Sequence, residues 1–248
     1  MEPLITPKKL LGEKTLPIKC DVAFICFCPT PKAFSECEIP IPLKERYFIH
    51  SNNSNVLFCE YNKQKFIVIS EVYGGPVGVT TVEELHYYGV KKIIALGFVG
   101  SLDSKIPCGT MIRAKDSFNE IGTTPHYLNH ESKFSYPTGK SIFRDDIESI
   151  NMKDVTVWTT NALYREYSHQ VLQMKELGCQ VVNMDTSHFF ASTDLLKIES
   201  EYFAIVSDVL DEAWENELKE AIEDEKTSKV SSSQDILIQR ILFRLFCK

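Results

Sequence analysis

The fold class of this 248-residue chain follows from residues 65–97, KFIVISEVYGGPVGVTTVEELHYYGVKKIIALG. Two apolar runs, 65–70 and 91–97, are predicted strands, since strands buried on both faces form nearly continuous apolar segments. The run between them, 78–88, repeats apolar residues at helical spacing and follows a glycine turn at Gly74-Gly75. A strand, a glycine turn, a helix and a second strand make one α/β unit.

The same alternation continues on both sides of this unit. The further predicted strands are 20–28, 55–61, 155–158, 180–184 and 202–207, and the further predicted helices are 163–177, 187–196 and 236–246. Strand 55–61 is expected to form a hairpin with strand 65–70 through a short turn at 62–64. We therefore predict a single α/β domain over 1–248, built on a mixed β-sheet flanked by helices.

Composition excludes several functional classes. With 44% hydrophobic and 25% charged residues, the chain is neither fibrous nor disordered, and its net charge of −7 disfavours binding to nucleic acid or to an anionic membrane. No apolar run reaches the roughly 18 residues of a membrane span, and residues 1–20 lack the apolar core of a signal peptide. We expect a cytoplasmic protein whose eight scattered cysteines are free thiols.

Glycine is unevenly distributed along the chain. Only 11 residues are glycine, and eight of them fall between Gly74 and Gly122. Because glycine allows close approach to the backbone, we expect a ligand or a tightly packed group in this region.

Polar and glycine residues follow several predicted strands, where ligands bind in open α/β sheets. Gly97 and Gly100 either bring backbone N–H groups to a ligand or form a plain turn. Asp185 and Asp208 each follow an apolar run and are either helix N-caps or acids of a binding site. No dinucleotide-binding or P-loop motif is present in the sequence.

Seven short motifs follow one another along the chain: Tyr73-Gly-Gly-Pro76, Glu83-Glu-Leu85 with Gly89, Ile93-Ile-Ala-Leu-Gly-Phe-Val-Gly-Ser-Leu102, Gly122-Thr-Thr-Pro-His-Tyr127, Trp158-Thr-Thr-Asn-Ala-Leu-Tyr-Arg-Glu166, Gly178 with Val182-Asn-Met-Asp-Thr-Ser187, and Ile205-Val-Ser-Asp208. In this order they resemble the nucleoside phosphorylase family, which comprises purine nucleoside phosphorylases, uridine phosphorylases and adenosylhomocysteine-type nucleosidases. The resemblance covers about 18–215, and residues 216–248 form a predicted C-terminal helical extension.

This resemblance implies a fold, an activity and an assembly. The fold would be a mixed β-sheet or distorted barrel, and the assembly a homo-oligomer, as a dimer, trimer or hexamer. The activity would be cleavage of the N-glycosidic bond of a nucleoside, with no cofactor and with inorganic phosphate as co-substrate.

The resemblance also assigns a role to each matching position. Asp208 would be the catalytic acid for the departing base. The other positions are Met184, Asp185 and Asn183 for ribose, Val99, Gly100, Leu163, Tyr164 and Ser207 for the base, and Lys32, Gly75 and Gly97 for phosphate.

The sequence departs from the family pattern in three respects. Ala95 and Phe98 stand where the family has a phosphate-binding arginine and a hydroxyl residue. The opening loop reads Cys28-Pro-Thr-Pro-Lys32 where the family has glycine and arginine, and Asp185 replaces glutamate while Asn161 replaces aspartate. Since a phosphate dianion is normally held by arginine forks and backbone amides, these changes weaken the case for phosphate. We predict phosphorolysis of a nucleoside, with a purine favoured by Ser207-Asp208. The alternatives are a hydrolytic nucleosidase and a nucleoside-binding member with reduced catalysis.

Overall fold

The structure, a computed structural model, describes residues 3–42, 45–120, 122–128, 132–143, 147, 150–210, 215–217 and 228–247. In these residues the strands are β1 (Val22–Cys26), β2 (Val56–Tyr61), β3 (Gln64–Ile69), β4 (Lys92–Ser101), β5 (Met111–Asn119), β6 (Phe134–Ser135), β7 (Met152–Thr159), β8 (Val181–Asn183), β9 (Glu199–Val209) and β10 (Glu215–Asn216). The α-helices are α1 (Pro7–Leu11), α2 (Lys32–Ser35), α3 (Gly75–Tyr87), α4 (Ser168–Glu176), α5 (Thr186–Leu196) and α6 (Lys229–Phe246).

The strands form one mixed sheet that closes on itself. Strands β4, β9, β5, β7 and β8 pair in a ring, because β4 pairs with both β9 and β8. From β4 the sheet continues outward through β1, β3 and β2, with β1 parallel to both β4 and β3. The predicted mixed sheet with a distorted barrel, flanked by helices, is therefore confirmed.

Two apolar clusters cover the two faces of the sheet. Ile93 and Ala95 of β4 belong to one cluster, and the alternating residues Ile94 and Leu96 belong to the other, which also contains Ile241 of α6. All four β4 residues are at most 1% exposed. Burial on both faces explains why these strands are continuous apolar runs in the sequence.

Glycine sets both ends of α3. Gly74 precedes the helix with φ +79°, and Pro76 follows in the first turn, where its missing N–H costs no hydrogen bond. Gly89, two residues after the last residue of the helix, has φ +87°, which favours glycine as a helix stop. The helix thus begins three residues before the predicted start at Gly78, because the turn is shorter than the sequence indicates.

Several predicted boundaries are wrong. Strand β4 runs to Ser101 and β9 to Val209, so that Gly97, Gly100 and Asp208 lie within strands rather than in the loops predicted after them. The predicted helix 163–177 is a 3-10 turn, Leu163–Arg165, followed by α4, because the backbone at Tyr167 is extended.

The sequence did not predict strand β5, because its polar residues interrupt the apolar pattern. The predicted C-terminal extension contains α6, while residues 218–227 and 248 lie outside the described residues. A single domain over 1–248 stays a prediction.

All eight cysteines have free thiols, as predicted. Among the helices of the described residues, none is both long and apolar enough to cross a membrane.

Candidate active site

Asp185 connects the start of α5 to the start of α3. It is the residue before α5 and is 8% exposed, and its Oδ1 accepts a hydrogen bond of 3.3 Å from the Gly74 backbone N–H. Burial raises the pKa of the Asp185 carboxyl group to about 7, although the Gly74 N–H group opposes this shift. The hydroxyl of Tyr202 lies close to the same carboxyl group, at a geometry short of a hydrogen bond.

Asn183 faces the start of α5. Its Oδ1 accepts hydrogen bonds of 3.3 Å from the backbone N–H groups of Asp185 and Thr186, and its Nδ2 donates to Thr186 Oγ1 at 2.8 Å. These bonds satisfy N–H groups that a helix start leaves free. The amide that the resemblance assigned to ribose therefore holds Asp185 in place, while Met184 between them is half-buried.

Asp208 lies on β9 beside Gly100 of β4. The pairing of the two strands shifts by one residue, so that Val99 pairs with Val206 but Gly100 pairs with Asp208. Asp208 Oδ2 would be 3.1 Å from a Cβ at Gly100, and Asp208 Oδ1 accepts a hydrogen bond of 2.8 Å from the Ser207 hydroxyl. The bulge thus brings Ser207, Asp208, Val99 and Gly100 together.

Two further carboxyl groups, those of Glu120 and Glu166, were not identified as site candidates from the sequence. Glu120 directly follows β5 and accepts a hydrogen bond of 2.7 Å from Trp158 Nε1. Glu166 is half-buried after the 3-10 turn, and burial, Asp208 and Glu120, in that order, raise its pKa to about 7. Glu120 follows a strand that the sequence pattern did not indicate. Glu166 lies in a segment that the sequence predicts as helix, so the position of its side chain was not predictable.

The residues assigned to the base by resemblance differ in exposure. Val99 is buried, whereas Leu163 is 45% and Tyr164 is 89% exposed on the 3-10 turn. Tyr164 is thus a surface residue of the isolated chain.

The positions assigned to phosphate have apolar or neutral neighbours. A Cβ at Gly97 would collide with the Tyr202 hydroxyl, and a Cβ at Gly75 would lie 2.6 Å from the imidazole Cδ2 of His188. Lys32 is exposed at the first position of α2. Ala95, which replaces the arginine of the family pattern, is completely buried. The nearest side chains at Gly75 and Gly97 therefore offer no positive charge to an anion.

A family model and a related protein match this chain over most of its length. A family model described as the phosphorylase superfamily matches residues 21–242. "Uncharacterized protein R802" of Acanthamoeba polyphaga mimivirus is 46% identical over 248 residues, which cover 98% of this chain and 98% of that protein.

Solved structures share the fold at low sequence identity. Uridine phosphorylase from Vibrio fischeri matches with a TM-score of 0.73 and 16% identity, covering 95% of this chain and 98% of that one. Purine nucleoside phosphorylase from Toxoplasma gondii matches with a TM-score of 0.71 and 20% sequence identity, and the match covers 91% of this chain and 90% of that one. The 5'-methylthioadenosine/S-adenosyl homocysteine nucleosidase of Campylobacter jejuni matches with a TM-score of 0.70 and 12% sequence identity, and the match covers 93% of this chain and 100% of that one.

Proposed function

Because this chain belongs to the phosphorylase superfamily, we propose that it cleaves the N-glycosidic bond of a nucleoside, with Asp208 as the acid for the departing base. The observation that carries this proposal is the bulge between β4 and β9, which gathers Asp208, Ser207 and Val99 beside Gly100, with the Ser207 hydroxyl hydrogen-bonded to the Asp208 carboxyl group. A Cβ at Gly100 would lie 2.5 Å from Leu210 Cδ1, so packing within the chain requires glycine at this position. Val99, Leu163 and Tyr164 would border the base.

Cleavage of this bond needs a proton for the leaving group and stabilisation of a cationic sugar. A positioned acid contributes about 10²- to 10⁴-fold in rate, and Asp208 is held for this role by the Ser207 hydroxyl. Asp185 would accept hydrogen bonds from the ribose hydroxyls and stabilise the positive charge on the sugar, with Met184 against the ribose. Asn183 supports Asp185 through its bonds to the start of α5.

The charges around the site favour water over phosphate as the acceptor. Asp185, Asp208 and Glu166 are acidic, and Ala95 and Phe98 supply neither an arginine fork nor a hydroxyl group. A phosphate dianion is normally held by arginine forks and backbone amides, and the nearest side chains at Gly75 and Gly97 offer it no positive charge. We therefore propose hydrolysis to free base and ribose.

Phosphorolysis remains the second candidate, with Lys32, Gly75 and Gly97 at the phosphate. It is supported by the shared fold with a purine nucleoside phosphorylase and a uridine phosphorylase. In that case the sugar product would be ribose 1-phosphate.

A purine is the proposed base. An acid such as Asp208 can protonate a purine at N7, a ring nitrogen that pyrimidine nucleosides lack. Hydrogen bonding of Asp208 by Ser207 fixes the carboxyl group for this purpose.

The experiment is an assay of base release from inosine, adenosine, guanosine and uridine, with and without inorganic phosphate. Hydrolysis predicts free ribose at a rate that phosphate does not increase, whereas phosphorolysis predicts ribose 1-phosphate and no release without phosphate. Absence of base release from all four would contradict both activities. Calorimetric binding of a nucleoside would then support the nucleoside-binding alternative.

We further propose a cytoplasmic homo-oligomer. The exposed Leu163 and Tyr164 support an oligomer, since exposed apolar groups commonly mark interfaces. Sedimentation analysis tests this assembly.

A further inference from the structure

Tyr202 covers the part of β4 between Ala95 and Gly97. It pairs with Ala95, yet its hydroxyl oxygen reaches the place of a Cβ at Gly97, two residues further along β4. Residues two apart on a strand face the same side of a sheet, so the Tyr202 side chain lies along one face of β4 over both residues. Ala95 and Tyr202 accordingly belong to the same apolar cluster.

The Tyr202 ring is fixed in this position by two other aromatic rings. It is completely buried and stacks on Phe27 with ring centroids 5.8 Å apart. It also packs edge to face against Phe189, with ring centroids 6.2 Å apart and an angle of 63° between the planes. The ring therefore cannot leave the face of β4 without losing both contacts.

The Tyr202 hydroxyl is a neutral group in a place where an anion would need positive charge. Burial raises the pKa of the phenol well above its usual value, so the hydroxyl stays protonated. Among the described residues it has no hydrogen-bond partner. The side chain at Ala95 is a completely buried methyl group. Both the space and the positive charge that a phosphate dianion needs are therefore missing beside Gly97.

We propose that Tyr202 is a specificity-determining residue that keeps phosphate away from Gly97 and so leaves water as the acceptor of the sugar. This inference rests on the proposed function. It goes beyond the missing charge at Ala95, because the Tyr202 side chain blocks the space whatever the charge at position 95. A phosphate site would therefore need two changes, the removal of the ring and a cationic side chain at position 95.

The first test measures whether Tyr202 fills the space next to Ala95. A95M lengthens a buried side chain without adding a charge and should lower the midpoint of urea denaturation. Y202L, which keeps an apolar side chain but withdraws the ring, should relieve part of this loss in A95M/Y202L. A33M, at a buried alanine in the cluster on the other face of the sheet, should lose equally with and without Y202L. Additive effects of A95M and Y202L overturn the inference.

The second test follows phosphate binding and does not depend on turnover. Gly97-Phe98 is the only Gly-Phe pair in the sequence, so labelling with ¹³C-glycine and ¹⁵N-phenylalanine isolates the backbone amide of Phe98 in NMR spectra. Added inorganic phosphate should leave this signal unchanged in the wild type and in Y202F, which keeps the ring. In A95R/Y202L it should shift the signal until the site is saturated.

A saturable shift in the wild type overturns the inference, and so does a folded A95R/Y202L that does not respond to phosphate. If A95R/Y202L does not fold, the wild-type titration and the A95M comparison decide. Base release by the wild type that requires phosphate also overturns it. Absence of base release from every nucleoside, together with the expected titrations, would reject only the proposed function.

Discussion

The hydroxyl group of Tyr202 occupies the space that a side chain at position 97 would need. The two residues lie on the paired strands β4 and β9, and a Cβ at Gly97 would collide with the hydroxyl oxygen. The Tyr202 ring also stacks on Phe27, with ring centroids 5.8 Å apart. Gly97 is thus required by packing within the chain itself.

This contact predicts a specific loss of stability. G97A should lower the free energy of unfolding by about 1–3 kcal/mol, the usual cost of overfilling a packed core. Urea denaturation measures the change. Adding Y202F to G97A should recover part of the loss because it removes the colliding oxygen, and an unchanged stability of G97A would contradict the contact.

The strands buried on both faces were predictable from the sequence. β1 and β4 are apolar runs because apolar clusters cover both sides of the sheet at these strands. β5 was missed because exposed Lys115 and partly exposed Asp116 interrupt its pattern, and its position depends on pairing with β7 and β9. Such pairing is a property of the closed sheet and leaves no local pattern.

The site was predictable only in part, because its geometry depends on breaks in regular structure. Asp208 and Gly100 were identified, but the bulge that makes them neighbours was not. Glu166 was assigned to a helix, and the extended backbone at Tyr167 shows that the helix starts later. Whether a polar residue faces a ligand or a helix end, as for Asn183, is decided by contacts distant in sequence.

Asn183 should be important for stability. N183A removes the oxygen that accepts from the backbone N–H groups of Asp185 and Thr186. Loss of a side chain that satisfies a helix start costs about 0.5–2 kcal/mol. Thermal denaturation of N183A beside Q173A, a change at an exposed amide on α4, measures the effect, and equal melting temperatures of N183A and wild type would contradict it.

Asp208 should be required for catalysis and not for folding. D208N removes the proton donor while keeping the size of the side chain and an oxygen that can accept from Ser207. We expect kcat to fall by about 10²- to 10⁴-fold with an unchanged circular dichroism spectrum. D194N, a change on the exposed end of α5, serves as the matched control. Wild-type turnover by D208N would reject the assigned role.

The buried carboxyl group of Asp185 should make stability fall as pH rises. Its pKa is about 7 in the folded chain and 3.8 as the reference value, so between these values the unfolded chain releases a proton that the folded chain keeps. Stability is therefore lost as pH rises from about 4 to 7, at about 1.4 kcal/mol per unit of pKa difference. Relative to wild type, D185N should gain stability across this interval in urea titrations. A difference that does not vary with pH would contradict the burial of the charge.

His188 should have the opposite pH dependence. Its Nδ1 lies 2.6 Å from Thr124 Oγ1, its ring lies against Gly75, and burial lowers its pKa from 6.5 to about 4. Between these values the unfolded chain binds a proton that the folded chain excludes, so stability falls as pH drops from about 6.5 to 4, by up to about 3 kcal/mol. In proton NMR the imidazole of His188, assigned with H188N, should stay neutral at pH 5.5, and H188N should lose this part of the pH dependence. H126N, which changes an exposed imidazole, should retain it. An imidazole of His188 that titrates near 6.5 would show that the ring is accessible to water and that the contact with Gly75 is not maintained.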